Sequence, residues 1–252
     1  MIKEIIENKI HEVKESKKSI PLARFKSQLK ISKRNFKAAI SKNKLNLIAE
    51  FKRASPSKNI ANNNFDLKRI ISIYNKYADA ISVLTDKKYF NGSLIDLKQA
   101  SELTKLPLLR KDFIIDEYQI YESRLNNADA ILLIASILSN GQLKKFIETA
   151  NNLGMDCIVE AHTEEDLRKA INCGAEIIGI NNRNLDTLEI DISTTLDLIK
   201  KIPKGKIVIS ESGISSKGDV EKIKGKVNAM LVGSAFMNSE DIEKSIIKLQ
   251  LD

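Results

Sequence analysis

Lysine and glutamate residues stand directly after short apolar runs at several points of this sequence. Glu50 follows LIA and is followed closely by Lys52, Lys111 follows LLR, and Glu160 follows CIV. Burying an ionisable side chain costs free energy unless the group pairs with an opposite charge or does chemical work. These four residues are therefore candidates for a cluster that exchanges protons with a substrate.

A second set of residues could bind an anion. Gly213 follows the run IVISES, Gly233 and Ser234 follow AMLV, and Arg183 follows IIGINN. Glycine lets backbone N–H groups approach an oxyanion closely, and an arginine adds a fork of donors. Each glycine alone would also fit an ordinary turn, but together they indicate a phosphate site.

The apolar runs that precede these residues recur from residue 46 onward, with amphipathic stretches between them. Nearly continuous apolar runs are typical of parallel strands buried on both faces, and helices between them indicate βαβ units. Eight units in roughly 200 residues predict an α/β fold, a (β/α)8 TIM barrel with functional residues at the carboxyl ends of its strands. The predicted strands are Asn46–Phe51, Ala80–Thr85, Pro107–Lys111, Ala130–Ala135, Asp156–Ala161, Glu176–Asn181, Lys206–Glu211 and Ala229–Gly233.

A doubly wound parallel sheet is the alternative fold. It usually has fewer strands, and the first strand-to-helix turn here lacks the glycine-rich dinucleotide fingerprint. We expect a single domain in which residues 1–45 form a helical N-terminal extension packed on a barrel of residues 46–252.

Positive charge is concentrated in that extension. Residues 1–45 hold 13 Lys and Arg but 4 Asp and Glu, and the whole chain has a net charge of +8. A basic arm for nucleic acid is one interpretation, but no aromatic residues interleave the charges of the first helix. We therefore predict no nucleic-acid partner and a packed amphipathic helix with an apolar face of Ile2, Ile5, Ile6, Ile10 and Val13.

Composition also limits the function classes. No run approaches the ~18 apolar residues of a membrane span, and the charged first residues do not resemble a secretory signal. We expect no membrane partner and a cytoplasmic location. With His11 and His162 as the only histidines, and no metal-ligand spacing around Cys157 and Cys173, we predict no metal site.

Seven segments, taken in order along the chain, carry a recognisable pattern: LIAEFKRASPSK (47–58), YFNGS (89–93), LLRKDFIIDEYQI (108–120), VEAHTEEDL (159–167), IGINNRNLDTLEID (178–191), ISESGIS (209–215) and LVGSAFM (231–237). Together they resemble the indole-3-glycerol phosphate synthase family. The N-terminal RNFKAAI (34–40) is similar to the extension of that family. One departure is Asn59, where the family usually has glycine after the SPSK lysine; asparagine tolerates a positive φ better than most residues.

The resemblance implies a lyase of tryptophan biosynthesis that closes an indole ring. Its substrate is a phosphorylated small molecule, 1-(2-carboxyphenylamino)-1-deoxyribulose 5-phosphate. An aromatic carbon attacks the ribulose carbonyl, carbon dioxide leaves and then water leaves, which gives indole-3-glycerol phosphate. The resemblance implies no metal and no organic cofactor.

By resemblance, Lys111 is the acid that protonates the carbonyl oxygen, and we expect cationic neighbours to lower its pKa. Glu160 and Lys52 are candidates for the acid and base of dehydration, with Glu50 positioning Lys52; which residue serves which step stays open. His162 is expected to be structural. The remaining implied residues are Asn181 and Ser212 in the catalytic set, Ser55, Pro56, Arg183, Gly213, Gly233 and Ser234 around the substrate and its phosphate, and Phe90, Phe113 and Leu132 around the aromatic ring.

Two other functions remain open. A phosphoribosylanthranilate isomerase or related sugar-phosphate isomerase would share the phosphate site but not the set of Lys111, Glu160 and Lys52. A nucleic-acid binder on a barrel scaffold would use the basic arm instead. We expect a monomer, and contacts with other enzymes of the pathway stay open.

Overall fold

Eight parallel strands close into a barrel in this structure, a computed structural model that describes residues 2–54, 66–185 and 187–249. The strands follow one another around the barrel in chain order, and the last pairs with the first. The predicted (β/α)8 barrel is confirmed, and the ends of each strand lie within one residue of the predicted ends. The strands are β1 (Asn46–Phe51), β2 (Ala80–Leu84), β3 (Leu108–Lys111), β4 (Ala130–Ile134), β5 (Asp156–Ala161), β6 (Ile177–Asn181), β7 (Ile207–Glu211) and β8 (Ala229–Val232).

Helices precede β1, separate the strands and follow β8. They are α1 (Ile2–Ser19), α2 (Phe36–Ala39), α3 (Leu67–Tyr77), α4 (Lys87–Phe90), α5 (Leu94–Leu103), α6 (Glu117–Leu125), α7 (Asn140–Asn152), α8 (Glu164–Asn172), α9 (Ser193–Leu198), α10 (Lys217–Ile223), α11 (Ser234–Met237) and α12 (Ile242–Leu249), with 3-10 turns at Leu22–Arg24, Lys26–Gln28, Ala135–Ile137 and Ile199–Lys201. Thr163 caps α8 by accepting from the N–H of Asp166 at 3.1 Å. Gly154 and Gly174 follow α7 and α8 with φ of 71° and 85°, as C′ glycines do. Within the described ranges, no helix is long and apolar enough to cross a membrane.

Alternate side chains of each strand point into the barrel, because successive residues of a strand face opposite sides. The interior core includes Ile48, Leu109, Ile158 and Ile209, all fully buried. The outward faces of the strands pack against the helices in a second, larger core. This alternation fixes which residue of each strand reaches the mouth of the barrel.

The N-terminal extension contacts both ends of the barrel. Phe36 and Ile40 are fully buried among interior residues at the amino ends of the strands, so they close that end. The Asn46 side chain donates to the carbonyl of Ile40 at 3.0 Å and joins this closure to β1. Ile2 and Ile5 of α1 instead line a cavity at the carboxyl ends of the strands.

The buried face of α1 differs from the predicted apolar face. Ile5 and Val13 are buried as expected, but Ile10 is 53% exposed and Lys9 is 3% exposed. The inclusion of Ile10 was wrong because Ile5, Lys9 and Val13 are four residues apart and share one line along the helix, whereas Ile10 lies at the edge of that face. Lys9 is tolerated there because buried carboxylates face it.

Candidate active site

At the mouth of the barrel, four strands each carry an ionisable side chain that points to the interior. In each case the ionisable residue comes two positions after a buried interior residue, so both point to the same side of the strand. The pairs are Ile48 and Glu50 in β1, Leu109 and Lys111 in β3, Ile158 and Glu160 in β5, and Ile209 and Glu211 in β7. The barrel therefore brings together charges that are far apart in the sequence.

One cavity of about 680 Å³ at this end of the barrel is lined by every predicted site residue that the structure describes. Ser55, Pro56 and the unusual Asn59 lie outside the described residues. The lining residues that were predicted are Glu50, Lys52, Phe90, Lys111, Phe113, Leu132, Glu160, Asn181, Arg183, Ser212, Gly213, Gly233 and Ser234.

Lys111 is held between two carboxylates that reach it from other strands. Its Nζ lies 2.8 Å from Oε2 of Glu211 and 3.5 Å from Oε2 of Glu160, and its side chain is 16% exposed. Burial alone would lower the pKa of the ammonium, but the charges of Glu211 and Glu160 outweigh burial and raise that pKa. The expectation that cations lower this pKa is therefore wrong, because the groups around Lys111 are acidic.

Glu211 is the candidate functional residue that the sequence analysis left out. It is 1% exposed, and Gly179 makes room for it, since a Cβ at Gly179 would lie 2.2 Å from its Oε1. Burial and the like charge of Glu160 raise the pKa of Glu211, although Lys111 opposes this. A signal for Glu211 existed in the sequence, since it follows Ile209 in the same alternation that places the other ionisable residues.

Glu160 lies between Lys111 and His162. Nε2 of His162 lies 3.2 Å from Oε1 of Glu160, and Nδ1 of His162 lies 3.9 Å from Oδ2 of Asp166. Burial opposes ionisation of Glu160, but Lys111 and His162 outweigh it and lower the pKa of this carboxyl group. Burial likewise opposes protonation of His162, yet Glu160 raises the pKa of the imidazole. His162 lies behind Glu160, outside the described lining of the cavity, and its structural role stays a prediction.

A second chain of polar contacts joins β1 to the segment after β8. Nζ of Lys52 lies 2.9 Å from Oε1 of Glu50 and donates to Oγ of Ser234 at 2.8 Å. Gly233 leaves the space that Glu50 occupies, because a Cβ at Gly233 would lie 2.2 Å from Oε1 of Glu50. Lys52 thus connects the acidic mouth of the barrel with the predicted anion site.

The predicted apolar slot has an aromatic wall. The ring centroids of Phe90 and Phe113 are 6.3 Å apart, with their planes inclined by 39°. Leu132 lines the same cavity from β4, and Ile5 lines it from α1. A slot of this composition suits a planar aromatic group, and the N-terminal extension contributes to it.

The predicted anion site combines a guanidinium with a turn in the left-handed region. Nη1 of Arg183 donates to the carbonyl of Leu188 at 3.1 Å, and no salt bridge joins Arg183 to a carboxylate within the described ranges. Ser212 and Gly213 have φ of 67° and 81°, and Nδ2 of Asn182 donates to the carbonyl of Ser212 at 2.9 Å. A non-glycine residue such as Ser212 adopts this conformation at a cost in free energy, which is common at functional sites.

The cavity therefore offers three kinds of chemistry in one place. It has a charged lysine between glutamates for proton transfer, an apolar slot for a ring, and an arginine with glycine turns for an anion. Among the described residues, no group of three or more His, Cys, Asp or Glu side chains could hold a metal ion.

Comparison with known proteins agrees with this arrangement. Residues 2–249 match the family model for indole-3-glycerol phosphate synthase. The chain is 49% identical over 201 residues to an indole-3-glycerol phosphate synthase of Endomicrobium trichonymphae, which covers 79% of this chain and 78% of that protein. It is 46% identical over 243 residues to the synthase of Caldanaerobacter subterraneus subsp. tengcongensis, covering 96% and 94%.

Two further similarities concern a longer protein and the fold. The tryptophan biosynthesis protein TrpCF of Buchnera aphidicola subsp. Baizongia pistaciae is 43% identical over 252 residues, which is all of this chain but 54% of that protein. A crystal structure of KGPDC from Streptococcus mutans has a TM-score of 0.61 at 13% identity, and covers 81% of this chain and 95% of that one. The second similarity supports the barrel fold alone.

The match over residues 2–249 and the two synthases at 46–49% identity confirm the family inferred from the seven sequence segments. This chain belongs to the indole-3-glycerol phosphate synthase family.

Proposed function

We propose that this protein converts 1-(2-carboxyphenylamino)-1-deoxyribulose 5-phosphate to indole-3-glycerol phosphate in tryptophan biosynthesis. The observation that carries the proposal is the position of Lys111. Its ammonium lies in the cavity between Glu160 and Glu211, and the same cavity holds an aromatic slot and an arginine. A substrate with a ring, a carbonyl and a phosphate needs these three features.

Ring closure needs a proton on the ribulose carbonyl oxygen. When the aromatic carbon forms the new C–C bond, the carbonyl π electrons move to that oxygen, and we assign its proton to Lys111. The two glutamates raise the pKa of Lys111, so its amine is protonated at neutral pH and carries that proton. The carboxyl group then leaves as carbon dioxide, and its bonding electrons return to the ring.

Dehydration needs an acid for the leaving hydroxyl group and a base for a ring proton. Glu160 and Lys52 are the candidates, and both line the cavity. Glu50, 2.9 Å from Lys52, positions that lysine. Loss of water with a ring proton completes the aromatic indole. Asn181 and Ser212 are proposed to hold the substrate in its reactive conformation by hydrogen bonds.

The substrate is proposed to lie across the cavity between its two ends. The carboxyphenyl ring occupies the slot of Phe90, Phe113 and Leu132. The phosphate lies at the opposite end, and Pro56 is a further proposed substrate-binding residue. The proposed phosphate ligands are Ser55, Arg183, Gly213, Gly233 and Ser234.

We further propose a cytoplasmic monomer without a nucleic-acid or membrane partner, in which residues 1–45 and 46–252 form one domain. The burial of Phe36 and Ile40 inside the barrel supports the single domain. Sedimentation of the purified protein tests the monomer, and a salt titration of DNA binding tests the basic arm, since phosphate contacts give a steep salt dependence.

The function is tested by incubating the purified protein with the carboxyphenylamino ribulose phosphate and following the indole fluorescence of the product. A parallel incubation with phosphoribosylanthranilate tests the isomerase alternative. We expect indole formation with the first compound and no conversion of the second. Conversion of phosphoribosylanthranilate without indole formation would replace the proposed function by the alternative.

A further inference from the structure

Lys9 of α1 is a buried cation with three carboxylates around it. Its Nζ lies 2.7 Å from Oδ2 of Asp86, 2.9 Å from Oδ1 of Asp112 and 2.7 Å from Oε2 of Glu12. The side chains of Lys9, Asp86 and Asp112 are 4%, 0% and 2% exposed. Such a group is strongly held, because removing the cation would leave buried carboxylates without compensation.

Asp86 connects Lys9 to Phe90. It follows β2 and caps α4, since its Oδ1 accepts from the N–H of Tyr89 at 2.8 Å. The short helix α4 ends at Phe90, one ring of the aromatic slot. Among the described residues, Lys9 is the only cation in a salt bridge with Asp86.

Asp112 connects Lys9 to Phe113. It directly follows Lys111, and its Oδ1 accepts from the N–H of Phe113 at 2.8 Å. Its Oδ2 accepts from Oγ1 of Thr85 at 2.6 Å and from Nη2 of Arg110 at 3.1 Å. Lys9 therefore shares Asp112 with Arg110, whereas among the described residues it alone forms a salt bridge with Asp86.

The two aspartates thus fix the backbone beside the two rings, and one lysine joins both aspartates. The same helix also contributes Ile2 and Ile5 to the cavity. We propose that Lys9 is a positioning residue that sets the distance between Phe90 and Phe113, so that the N-terminal extension defines the subsite for the aromatic ring of the substrate. The nature of that ring rests on the proposed function, whereas the positioning of the two loops does not.

Lys9→Met tests this proposal, because methionine keeps most of the length of the side chain and removes its charge. Lys14→Met is the matched control, since Lys14 is exposed on the same helix. The first measurement is amide hydrogen exchange at Tyr89 and Phe113. We expect faster exchange of both amides in Lys9→Met and unchanged exchange in the control. Unchanged exchange in a folded Lys9→Met variant would overturn the proposal.

The second measurement separates the aromatic subsite from the phosphate site. We expect Lys9→Met to weaken the binding of anthranilate, the aromatic part of the substrate, by about tenfold or more, since small displacements have large effects on such sites. Binding of inorganic phosphate should not change. Equal weakening of both ligands would show general loosening and would contradict the assigned role. A wild type that binds no anthranilate would instead count against the proposed function, and the exchange measurement would still decide the role of Lys9.

Asp86→Asn tests the same proposal if Lys9→Met does not fold. Asparagine can still cap α4 but cannot form the ion pair with Lys9. We expect faster exchange at Tyr89, with Phe113 still protected through Asp112. Unchanged exchange at Tyr89 in this variant would also overturn the proposal.

Discussion

Nζ of Lys111 lies 2.8 Å from Oε2 of Glu211, across the mouth of the barrel from β3 to β7. Both side chains are largely buried, and the contact raises the pKa of Lys111. We expect Glu211, together with Glu160, to keep this proton donor charged, and expect the short contact to hold its ammonium in place.

The contact predicts the effect of Glu211→Gln. The amide keeps the shape of the side chain but removes the charge, so Lys111 loses part of what holds its proton and its position. We expect kcat to fall by about 10²-fold, a typical loss for an impaired proton donor. Steady-state kinetics measure this, with Glu221→Gln as the control, because Glu221 is exposed on α10. A kcat equal to that of the control would remove Glu211 from the mechanism.

Gly233→Ala should disturb Glu50 before it disturbs any ligand. The φ of Gly233 is −131°, which other residues adopt, so its glycine is required for space. The new Cβ would lie 2.2 Å from Oε1 of Glu50 and would displace that carboxylate from Lys52. We expect kcat to fall by about tenfold or more, together with a higher KM.

Gly141→Ala is the control for that substitution, because a Cβ at Gly141 in α7 meets nothing within 4 Å. Alanine there should leave the kinetics unchanged and favour the helix slightly. If Gly233→Ala raised KM and left kcat unchanged, the substitution would impair binding of the anion and would not act through Glu50.

The raised pKa of His162 predicts that the stability of the fold depends on pH. Its folded-state pKa is raised, so its pair with Glu160 stabilises the fold fully below the unfolded pKa of about 6.5 and loses that effect as pH rises through the folded pKa. Asp166 and Glu211 add to the negative charge that the imidazole faces. We expect His162→Asn to lower the melting temperature more at about pH 5.5 than at about pH 9.

Thermal unfolding at the two pH values measures this difference. His11→Asn is the matched control, because His11 is exposed on α1. A loss of stability that is equal at both pH values would mean that the ion pair with Glu160 does not contribute, and that His162 only fills space.

Arg183→Met tests the phosphate end of the site. A charge-assisted hydrogen bond contributes about 1.5–3 kcal/mol, so KM should rise by about tenfold or more. The phosphate is remote from the reacting carbons, so kcat should fall less than KM rises. Inorganic phosphate should inhibit the wild type and Arg168→Met, an exposed control on α8, but inhibit Arg183→Met weakly. Equal inhibition of all three proteins would place the phosphate elsewhere.

The barrel and most of the residues at its mouth could be predicted from the sequence, because the same short segments mark both. Apolar runs marked the strands, and ionisable residues at their ends marked the site, as with Glu50, Lys111 and Glu160. Glu211 obeys the same alternation, since it follows Ile209 by two positions, although it was not in the predicted set. The pairing of Glu211 with Lys111 could not be predicted from the sequence, because 100 residues separate the two.

Two predictions failed because they depended on distant neighbours. The pKa of Lys111 has the opposite direction from the predicted one, since its neighbours come from β5 and β7 and are acidic. The helix α1 buries Lys9 in place of Ile10, since aspartates after β2 and β3 face that position. Helical spacing reports which residues share a face, but it does not report what that face meets.

The turnover of Lys111→Met is the decisive measurement for the role of Lys111 as proton donor. Methionine keeps the side chain buried, and the neighbouring carboxyl groups can take up protons once the cation is gone. At saturating substrate, with binding of the substrate measured separately, we expect indole formation to slow by about 10²–10⁴-fold while the variant still folds and binds. A folded Lys111→Met variant that keeps more than about a tenth of the wild-type turnover would contradict the claim that Lys111 supplies the proton for ring closure.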